Sequence, residues 1–243
     1  GNQTVGVNFP ADDKLKIALR LNEFGVEYIE GGWPNSSSPG EIEFFRRIKD
    51  YKVHSKIVAF GMTRKPHSTA ESDENLKMLA WVEPDCVTIV GKSWRLHIEK
   101  VLETTLEENL KMISTSIRYV KDLGFDVIFD AEHFFDGFKS DPKYAIETLQ
   151  AAVEAGAKEI VLCDTRGGSF PNQVYEATSE VVDRFRTRVG IHSHNDRGLA
   201  TANSISAVFA GAEQVQGTIN GIGERCGNAN LIELVGNFEM GLG

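Results

Sequence analysis

Short apolar runs recur along this chain about every 30 residues, and stretches with helical spacing lie between them. The runs are apolar throughout rather than alternating, which is typical of strands in a parallel sheet that is covered on both faces. This order of strand, helix and strand is the signature of βαβ units. The predicted strands are Val26–Glu30, Lys56–Phe60, Cys86–Val90, Asp126–Phe129, Glu159–Cys163, Val189–His192 and Gln214–Gly217.

The first predicted element is a helix, Ala11–Phe24, with no strand before it. A TIM (β/α)8 barrel lacking its first strand would show this order, and such barrels often run to about 250 residues undivided. An open, doubly wound sheet is the alternative, but no G-x-G-x-x-G turn follows any strand. We therefore expect an α/β fold, a TIM (β/α)8 barrel lacking its first strand, in one domain. Further examples of predicted helical stretches are Leu106–Leu123, Lys143–Ala155 and Gln173–Phe185.

Composition narrows the class of protein. The net charge of −9 argues against nucleic-acid binding, which requires clustered lysine and arginine. No apolar run approaches the roughly 20 residues that span a bilayer, and the first residues lack a signal-peptide pattern. The three cysteines form no C-x-x-C pair, which fits reduced thiols. We expect a cytoplasmic protein.

Polar residues follow the carboxyl end of nearly every predicted strand. Barrel enzymes carry their catalytic groups at these ends, and a barrel without a function there would not need such convergence. The sequence therefore predicts one active site at this end. The residues are Glu30, Arg64, Lys92–His97, Asp130–His133, Asp164–Arg166, His192–Asp196 and Asn220–Asn228.

The H-x-H pair His192 and His194 is the sharpest of these signals. Alternate residues of a strand point to the same side, so both imidazoles can face one ion. Imidazole suits Zn, Mn, Fe and Co, and added oxygen ligands extend the choice to Mg. The alternative is one buried, hydrogen-bonded histidine and one that faces solvent. In the glycine-rich loop after the last strand, Asn228 could add an amide oxygen, or Glu224 a carboxylate.

The other strand ends allow two interpretations each. Glu132 could orient a bound group or move a proton, or it could pair with a cation of a neighbouring strand. Asp164 and Thr165 offer a carboxylate and a hydroxyl donor, although Asp164 could instead cap the following turn. The remaining pair, His97 and His133, could be functional or structural.

Six segments carry a resemblance to a known family. They are Gly1–Gln3, Ile29–Pro34, Val87–Trp94, Asp130–Gly137, His192–Asp196 and Gly221–Asn228. Together they resemble the 2-isopropylmalate synthase and citramalate synthase family of metal-dependent TIM-barrel condensing enzymes and lyases. The G-G-W-P, G-K-S-W and D-A-E-H-F-F-D-G segments resemble its citramalate synthase-like branch.

The resemblance implies an acyltransferase that condenses acetyl-CoA with pyruvate to give citramalate, in isoleucine or leucine biosynthesis. A divalent metal (Mg, Mn or Zn) would chelate the oxo acid, and the full-length protein would be a homodimer. The alternatives are a related 2-oxo acid condensing enzyme (2-isopropylmalate or homocitrate synthase), a retro-aldol or acyl-CoA lyase, and an inactive fragment that serves as a binding or assembly module.

The resemblance also implies roles for individual residues. The metal ligands would be His192, His194 and Asn228, and the catalytic residues would be Glu132 and Thr165. The substrate-binding residues would be Gln3, Glu30, His97 and Thr165.

The departures from the family pattern lead to further expectations. An Arg and a metal-binding Asp would fall immediately before Gly1, and the family continues past the barrel into helical and regulatory regions. We expect 1–243 to be an N-terminally truncated catalytic barrel domain that alone binds metal weakly and turns over little. Arg166 and Arg197 stand where asparagine and a small residue are usual, and they could alter oxo-acid preference or reach solvent.

Overall fold

A computed structural model of the chain describes residues 3–241, so Gly1 and Asn2 of the first motif lie outside the described residues. The strands are β1 (Tyr28–Gly32), β2 (Lys56–Met62), β3 (Cys86–Lys92), β4 (Asp126–Glu132), β5 (Glu159–Asp164), β6 (Arg188–Ser193) and β7 (Gln214–Gln216). The helices are α1 (Ala11–Phe24), α2 (Pro39–Ile48), α3 (Glu74–Trp81), α4 (Arg95–Lys100), α5 (Leu106–Asp122), α6 (Phe134–Ser140), α7 (Pro142–Ala155), α8 (Pro171–Arg184), α9 (Ala200–Phe209) and α10 (Leu231–Gly241), with 3-10 turns at Ala70–Ser72 and Ile219–Gly221.

Within residues 3–241 the seven strands form one sheet in the order β1-β2-β3-β4-β5-β6-β7. Every pair is parallel, and each strand pairs with the next one along the chain. A doubly wound sheet would reverse its strand order at a switch point, and this sheet does not. The seven predicted strands and the barrel-type order are confirmed.

Buried side chains form two layers that follow the alternation of the strands. On the outer face, large residues such as Phe45, Ile113 and Leu149 join one continuous core with the apolar residues of the strands. On the inner face, a small cluster contains Val58, Cys86, Ile128, Val161 and Cys163. The outer layer accounts for most of the buried apolar surface. The inner layer fills the interior of the curled sheet on the amino side of the polar strand ends.

Side chains cap the first turns of several helices. The Thr105 hydroxyl accepts a hydrogen bond from the backbone N–H of Glu108 (3.1 Å) at the start of α5. Asp73 and Asp141 accept N–H groups in the same way at α3 and α7. Such caps satisfy donors that have no partner inside the helix.

A polar cluster at the amino ends of the strands shows how far the sheet curls. Tyr28 of β1 donates its hydroxyl to Glu159 of β5 (2.6 Å), and Arg188 of β6 contacts Glu159 (3.1 Å) and Glu27 (2.8 Å). In a flat sheet β1 and β5 would lie roughly 19 Å apart, because strands are spaced about 4.8 Å. Their contact requires a sheet that is bent into most of a barrel.

Among the helices of residues 3–241, none is long and apolar enough to cross a membrane. The cysteines are free: Cys86 and Cys163 are buried, and Cys226 is exposed.

Candidate functional site

The alternation of the strands places the predicted site residues on the inner face of the curled sheet. In β4, Ile128 belongs to the inner cluster, so Asp130 and Glu132 follow on the same side towards the carboxyl end. In β5 the inner residue Cys163 precedes Thr165 by two positions. Side chains from separate strands therefore point into the interior of the curled sheet, near its carboxyl end.

The two histidines lie side by side at the end of β6. Their Nε2 atoms are 3.1 Å apart, and the Nε2 of His192 is also 3.1 Å from the amide nitrogen of Asn228. Burial lowers the pKa of both histidines, and that of His194 falls to about 3 with added repulsion from His192 and Arg225. Both imidazoles are therefore neutral near pH 7, the form that binds metal ions.

A hydrogen-bonded chain fixes the tautomer of His192. Its Nδ1 lies 2.7 Å from the amide oxygen of Gln216, whose nitrogen donates to Asp130 (3.1 Å). Since an amide oxygen only accepts, Nδ1 carries the proton and the lone pair of Nε2 faces the mouth of the sheet. Burial and the nearby Glu30 raise the pKa of Asp130 well above its usual value.

The loop 221–228 brings Asn228 to the histidines. The backbone of Asn195 donates to Gly227 (2.8 Å), and His194 and Asn228 form an isolated bridge. A Cβ at Gly223 would lie 1.6 Å from the Oδ1 of Asn228, so only glycine leaves room for this amide. The structure thus brings together the three predicted metal ligands.

The three converging groups fit a divalent metal ion. Neutral imidazoles and side-chain amides are groups that bind divalent metal ions, and the two Nε2 atoms lie only 3.1 Å apart. Asn228 would bind through its amide oxygen, since the amide nitrogen that faces His192 is only a donor. Residues 3–241 hold no group of three His, Cys, Asp or Glu side chains suited to a metal. The donor set in this part of the chain is therefore two imidazoles and one amide.

Arg225 lies behind the second histidine. Its Nη2 contacts the Nδ1 of His194 (2.7 Å), the carbonyl oxygen of Thr165 (2.8 Å) and the carboxylate of Asp196 (2.8 Å). Its Nε donates to the other oxygen of Asp196 (2.7 Å). These contacts tie the 221–228 loop to the ends of β5 and β6.

Glu132 forms an ion pair with Lys92, its register partner on β3. The Lys92 and Glu132 side chains are 12% and 23% exposed, so the pair is only partly open to solvent. The pairing matches one of the two interpretations of Glu132 from sequence, and it leaves one carboxylate oxygen for a ligand or a proton.

Thr165 lies beside this pair at the end of β5. Its oxygen accepts the backbone N–H of His133 (2.8 Å), which leaves its own O–H for donation to a ligand. The imidazole of His133 contacts Asp136 (3.1 Å), which also binds Arg166 (2.6 Å). The pKa of Asp136 falls because these two hydrogen bonds outweigh its burial.

His97 stacks on Trp94, with ring centroids 4.9 Å apart, and lies 4.1 Å from the ring of His133. Its Nδ1 is buried without a hydrogen-bond partner in residues 3–241, and partial burial lowers its pKa. Arg166 covers Trp94 at 5.5 Å. These rings form one wall of the mouth.

The remaining predicted substrate-binding residues are Glu30 and Gln3. Glu30 on β1 is exposed and lies on the same inner face of the sheet as Asp130. It is close enough to Asp130 to raise the pKa of that carboxyl. Gln3 is an exposed residue in a turn before α1, and no hydrogen bond joins it to the histidines within the described residues.

Some residues have local roles. Asp164 accepts the backbone N–H groups of Gly168 (3.1 Å) and Ser169 (3.2 Å), so it caps the turn after β5. Arg197 lies over the ring of Phe170 at 4.7 Å and is exposed.

The sequence analysis placed Lys92 among the polar strand ends without giving it a role, and it did not identify Gln216, although both contact predicted site residues. Each lies on the inner face at or near the carboxyl end of its strand, next to a strand that carries a predicted residue. A search for polar inner-face positions beside the histidines and Glu132 could have found them.

Comparisons with known proteins agree with this architecture. The sequence model of the HMGL-like family matches residues 1–241. The chain is 51% identical to an (R)-citramalate synthase of Aquifex aeolicus, over 100% of this chain and 46% of that protein. It is 39% identical to a 2-isopropylmalate synthase of Dictyoglomus turgidum, over 97% of this chain and 46% of that protein.

The fold is that of a solved TIM-barrel lyase. Hydroxymethylglutaryl-CoA lyase from Pseudomonas aeruginosa superposes with a TM-score of 0.82 at 17% identity, over 99% of this chain and 82% of that one. The chain spans about half the length of the curated relatives that it matches, 46% in both cases.

Proposed function

The chain belongs to the HMGL-like family, and on that premise we propose that it is the catalytic barrel of a citramalate synthase. Such an enzyme joins the methyl carbon of acetyl-CoA to the ketone carbon of pyruvate. The observation that carries the proposal is the higher identity, over the whole chain, to citramalate synthases than to 2-isopropylmalate synthases. The activity belongs to the branched-chain amino-acid pathway.

In this proposal His192, His194 and Asn228 hold a divalent metal ion, whether Mg, Mn or Zn. When bound, the ion acts as a Lewis acid on the ketone of the oxo acid and orients it. The neutral imidazoles and the lone pair of His192 that faces the mouth support this assignment.

Thr165 donates its hydroxyl to the carboxylate of pyruvate. Its oxygen already accepts the N–H of His133, so the direction of its O–H is restricted. A hydrogen bond to a charged group contributes about 1.5–3 kcal/mol, enough to orient a small oxo acid. Gln3, Glu30 and His97 complete the pocket in this proposal, and the exposed inner-face position of Glu30 is compatible with it.

Glu132 orients the reactants or moves a proton. In the reaction the methyl group of acetyl-CoA loses a proton, and the carbon attacks the ketone carbon of pyruvate, whose oxygen gains a proton. Water then cleaves the thioester, so the products are citramalate and free CoA. Lys92 keeps one oxygen of Glu132 in place during these steps.

The proposal is tested with the full-length protein, Mn²⁺ and acetyl-CoA, by following the release of free CoA with a thiol reagent. Pyruvate, 2-oxoisovalerate and 2-oxoglutarate are compared as acceptors, and the product is identified by mass spectrometry. We expect pyruvate to give citramalate with the highest kcat/KM. Preference for another oxo acid, or no CoA release with any of them, would contradict the proposal. A homodimer is proposed for the same protein and is measured by light scattering.

A further inference from the structure

We propose that His133, oriented by Asp136, is the base that activates water for cleavage of the thioester, the last step of the proposed reaction. The inference rests on the proposed function, because the condensation is what forms this thioester. It assigns a second proton carrier, in addition to Glu132, to a residue outside the proposed metal site and outside the predicted substrate-binding set.

His133 and Asp136 form a pair on the wall of the mouth. The Nδ1 of His133 lies 3.1 Å from the Oδ2 of Asp136, and the two side chains are only 8% and 13% exposed. Burial raises the pKa of Asp136, but hydrogen bonds from His133 and Arg166 outweigh it and leave that pKa below its usual value. The carboxylate is therefore ionised and only accepts. In the neutral imidazole Nδ1 then carries the proton, and the lone pair lies on Nε2.

The other nitrogen of this imidazole is free. The Nε2 of His133 makes no hydrogen bond within residues 3–241, and solvent reaches it. A histidine that a carboxylate holds through Nδ1, with Nε2 free, is the arrangement that takes a proton from a nucleophile in hydrolases. The carboxylate also stabilises the imidazolium that forms when Nε2 takes this proton.

The backbone holds the pair in position. His133 has a φ of +59°, in the left-handed region, and the hydroxyl oxygen of Thr165 accepts its backbone N–H (2.8 Å). His133 precedes α6, yet its side chain does not cap that helix. Glycine at 137 lets the first turn of α6 lie against Ser93, because a Cβ there would collide with the carbonyl oxygen of Ser93. The segments that follow β3 and β5 therefore fix the orientation of the imidazole.

The pair lies next to the oxo acid of the proposed function. His133 directly follows Glu132, its backbone is bound to Thr165, and its ring centroid lies 4.1 Å from that of His97. Burial lowers the pKa of His97 most, and both His133 and Glu132 are close enough to affect it. A thioester that forms beside Glu132 and Thr165 is therefore adjacent to the wall that carries the free Nε2.

The step balances without a further reactant. The Nε2 of His133 takes one proton from water while the water oxygen bonds to the thioester carbon. The bond from that carbon to sulfur breaks, and Nε2 returns the proton to the sulfur of CoA. The other proton of water stays on the new carboxylic acid and is lost to solvent. The products are citramalate and free CoA, and an enzyme without this base would stop at citramalyl-CoA.

The test supplies citramalyl-CoA to the full-length protein with Mn²⁺ and follows free CoA with a thiol reagent. We expect His133→Ala to lower the rate of hydrolysis by about 10²–10⁴-fold. With acetyl-CoA and pyruvate the variant should accumulate citramalyl-CoA, which mass spectrometry detects. Added imidazole should restore part of the rate, because it replaces a missing base and not a structural contact. Hydrolysis by H133A at the wild-type rate would overturn the inference.

Two further variants separate this role from a structural one. His67→Ala is the matched control and should keep the wild-type rate, since His67 also has a φ of +59° but is exposed. Asp136→Asn turns its amide N–H towards Nδ1 while its oxygen stays with Arg166, so the proton of the imidazole moves to Nε2.

We expect D136N to hydrolyse citramalyl-CoA at least about 10²-fold more slowly, without rescue by imidazole, because the ring is still in place. A wild-type rate in D136N would contradict the assignment of His133 and leave the proposed function intact. If the wild type released no CoA, either from citramalyl-CoA or from acetyl-CoA and pyruvate, the proposed function itself would be wrong, and the inference with it.

Discussion

His192 and Gln216 are joined by a 2.7 Å hydrogen bond between neighbouring strands, and this bond decides which nitrogen of the imidazole is free. The partner behind a metal-binding histidine orients its ring and selects its tautomer. Gln216 in turn donates to Asp130, so the orientation of His192 depends on a residue of β4 that does not contact it directly.

Gln216→Leu should therefore weaken Zn²⁺ binding by about 10–100-fold, as loss of such a partner commonly does. Calorimetric titration measures the affinity. Gln214→Leu is the control, since Gln214 lies on the same strand and its Oε1 is buried without a partner in the described residues. Equal affinities for the two variants would show that Gln216 does not position His192.

Gly223→Ala should displace the side chain of Asn228, because the added Cβ would collide with its Oδ1. We expect a loss of Zn²⁺ affinity of about ten-fold or more, since the third ligand is displaced. Gly40→Ala is the matched control: nothing lies within 4 Å of its Cβ, and it is inside α2. It should leave the protein at least as stable in urea unfolding and keep the affinity.

Thr165→Val should raise the KM for pyruvate by about ten-fold or more, since it removes a hydrogen bond to a charged group. Thr165→Ser keeps the hydroxyl and should retain most of the wild-type KM. Initial rates at varied pyruvate give KM and kcat separately. If valine and serine had the same effect, the hydroxyl would have no part in binding the oxo acid.

Glu132→Gln keeps the shape of the side chain and removes its charge. If Glu132 moves a proton, kcat should fall by about 10²–10⁴-fold while the Zn²⁺ affinity stays the same. Glu99→Gln, on the exposed helix α4, is the control and should keep its kcat. A loss of Zn²⁺ affinity in E132Q would instead point to a role in holding the metal.

Tyr144 gives a pH-dependent prediction that is independent of the site. Burial raises its pKa from 10.0 to about 12, and its hydroxyl donates to the carbonyl of Leu106 (3.1 Å). The folded state therefore favours the protonated phenol. The resulting contribution to the free energy of unfolding is fully present below pH 10 and is lost as the pH rises to about 12. A shift of two pKa units corresponds to about 2–3 kcal/mol.

Tyr144→Phe should thus be less stable than the wild type at pH 7, by about 1–2 kcal/mol for the lost hydrogen bonds. Above pH 10 the wild type should lose stability faster than the variant, so the two unfolding free energies converge. Urea unfolding from pH 7 to 11.5 measures both. Parallel profiles would contradict the prediction.

The strands and the end of the sheet that carries the site could be predicted because both follow from local rules. Apolar runs mark strands covered on both sides, and a spacing of two puts His192 and His194 on one side of β6. The short helices α4 and α6 were not predicted, since six or seven residues are too few to show a helical period.

Contacts between strands could not be predicted in the same way. The pairing of Lys92 with Glu132 depends on the register of β3 against β4, which no local pattern encodes. The contact of Arg225 with His194 depends on a left-handed φ within the loop, which sequence alone did not indicate.

The cluster of Tyr28, Glu159 and Arg188 has a consequence for the order of folding. Each strand pairs with the next along the chain, so the sheet can grow through closures of a few tens of residues. The contact of Tyr28 with Glu159 closes a separation of 131 residues, which is entropically costly until the intervening strands have formed. Assembly would then proceed strand by strand and acquire its curvature last, so the side chains of the proposed site would come together only when the opposite end of the sheet closes.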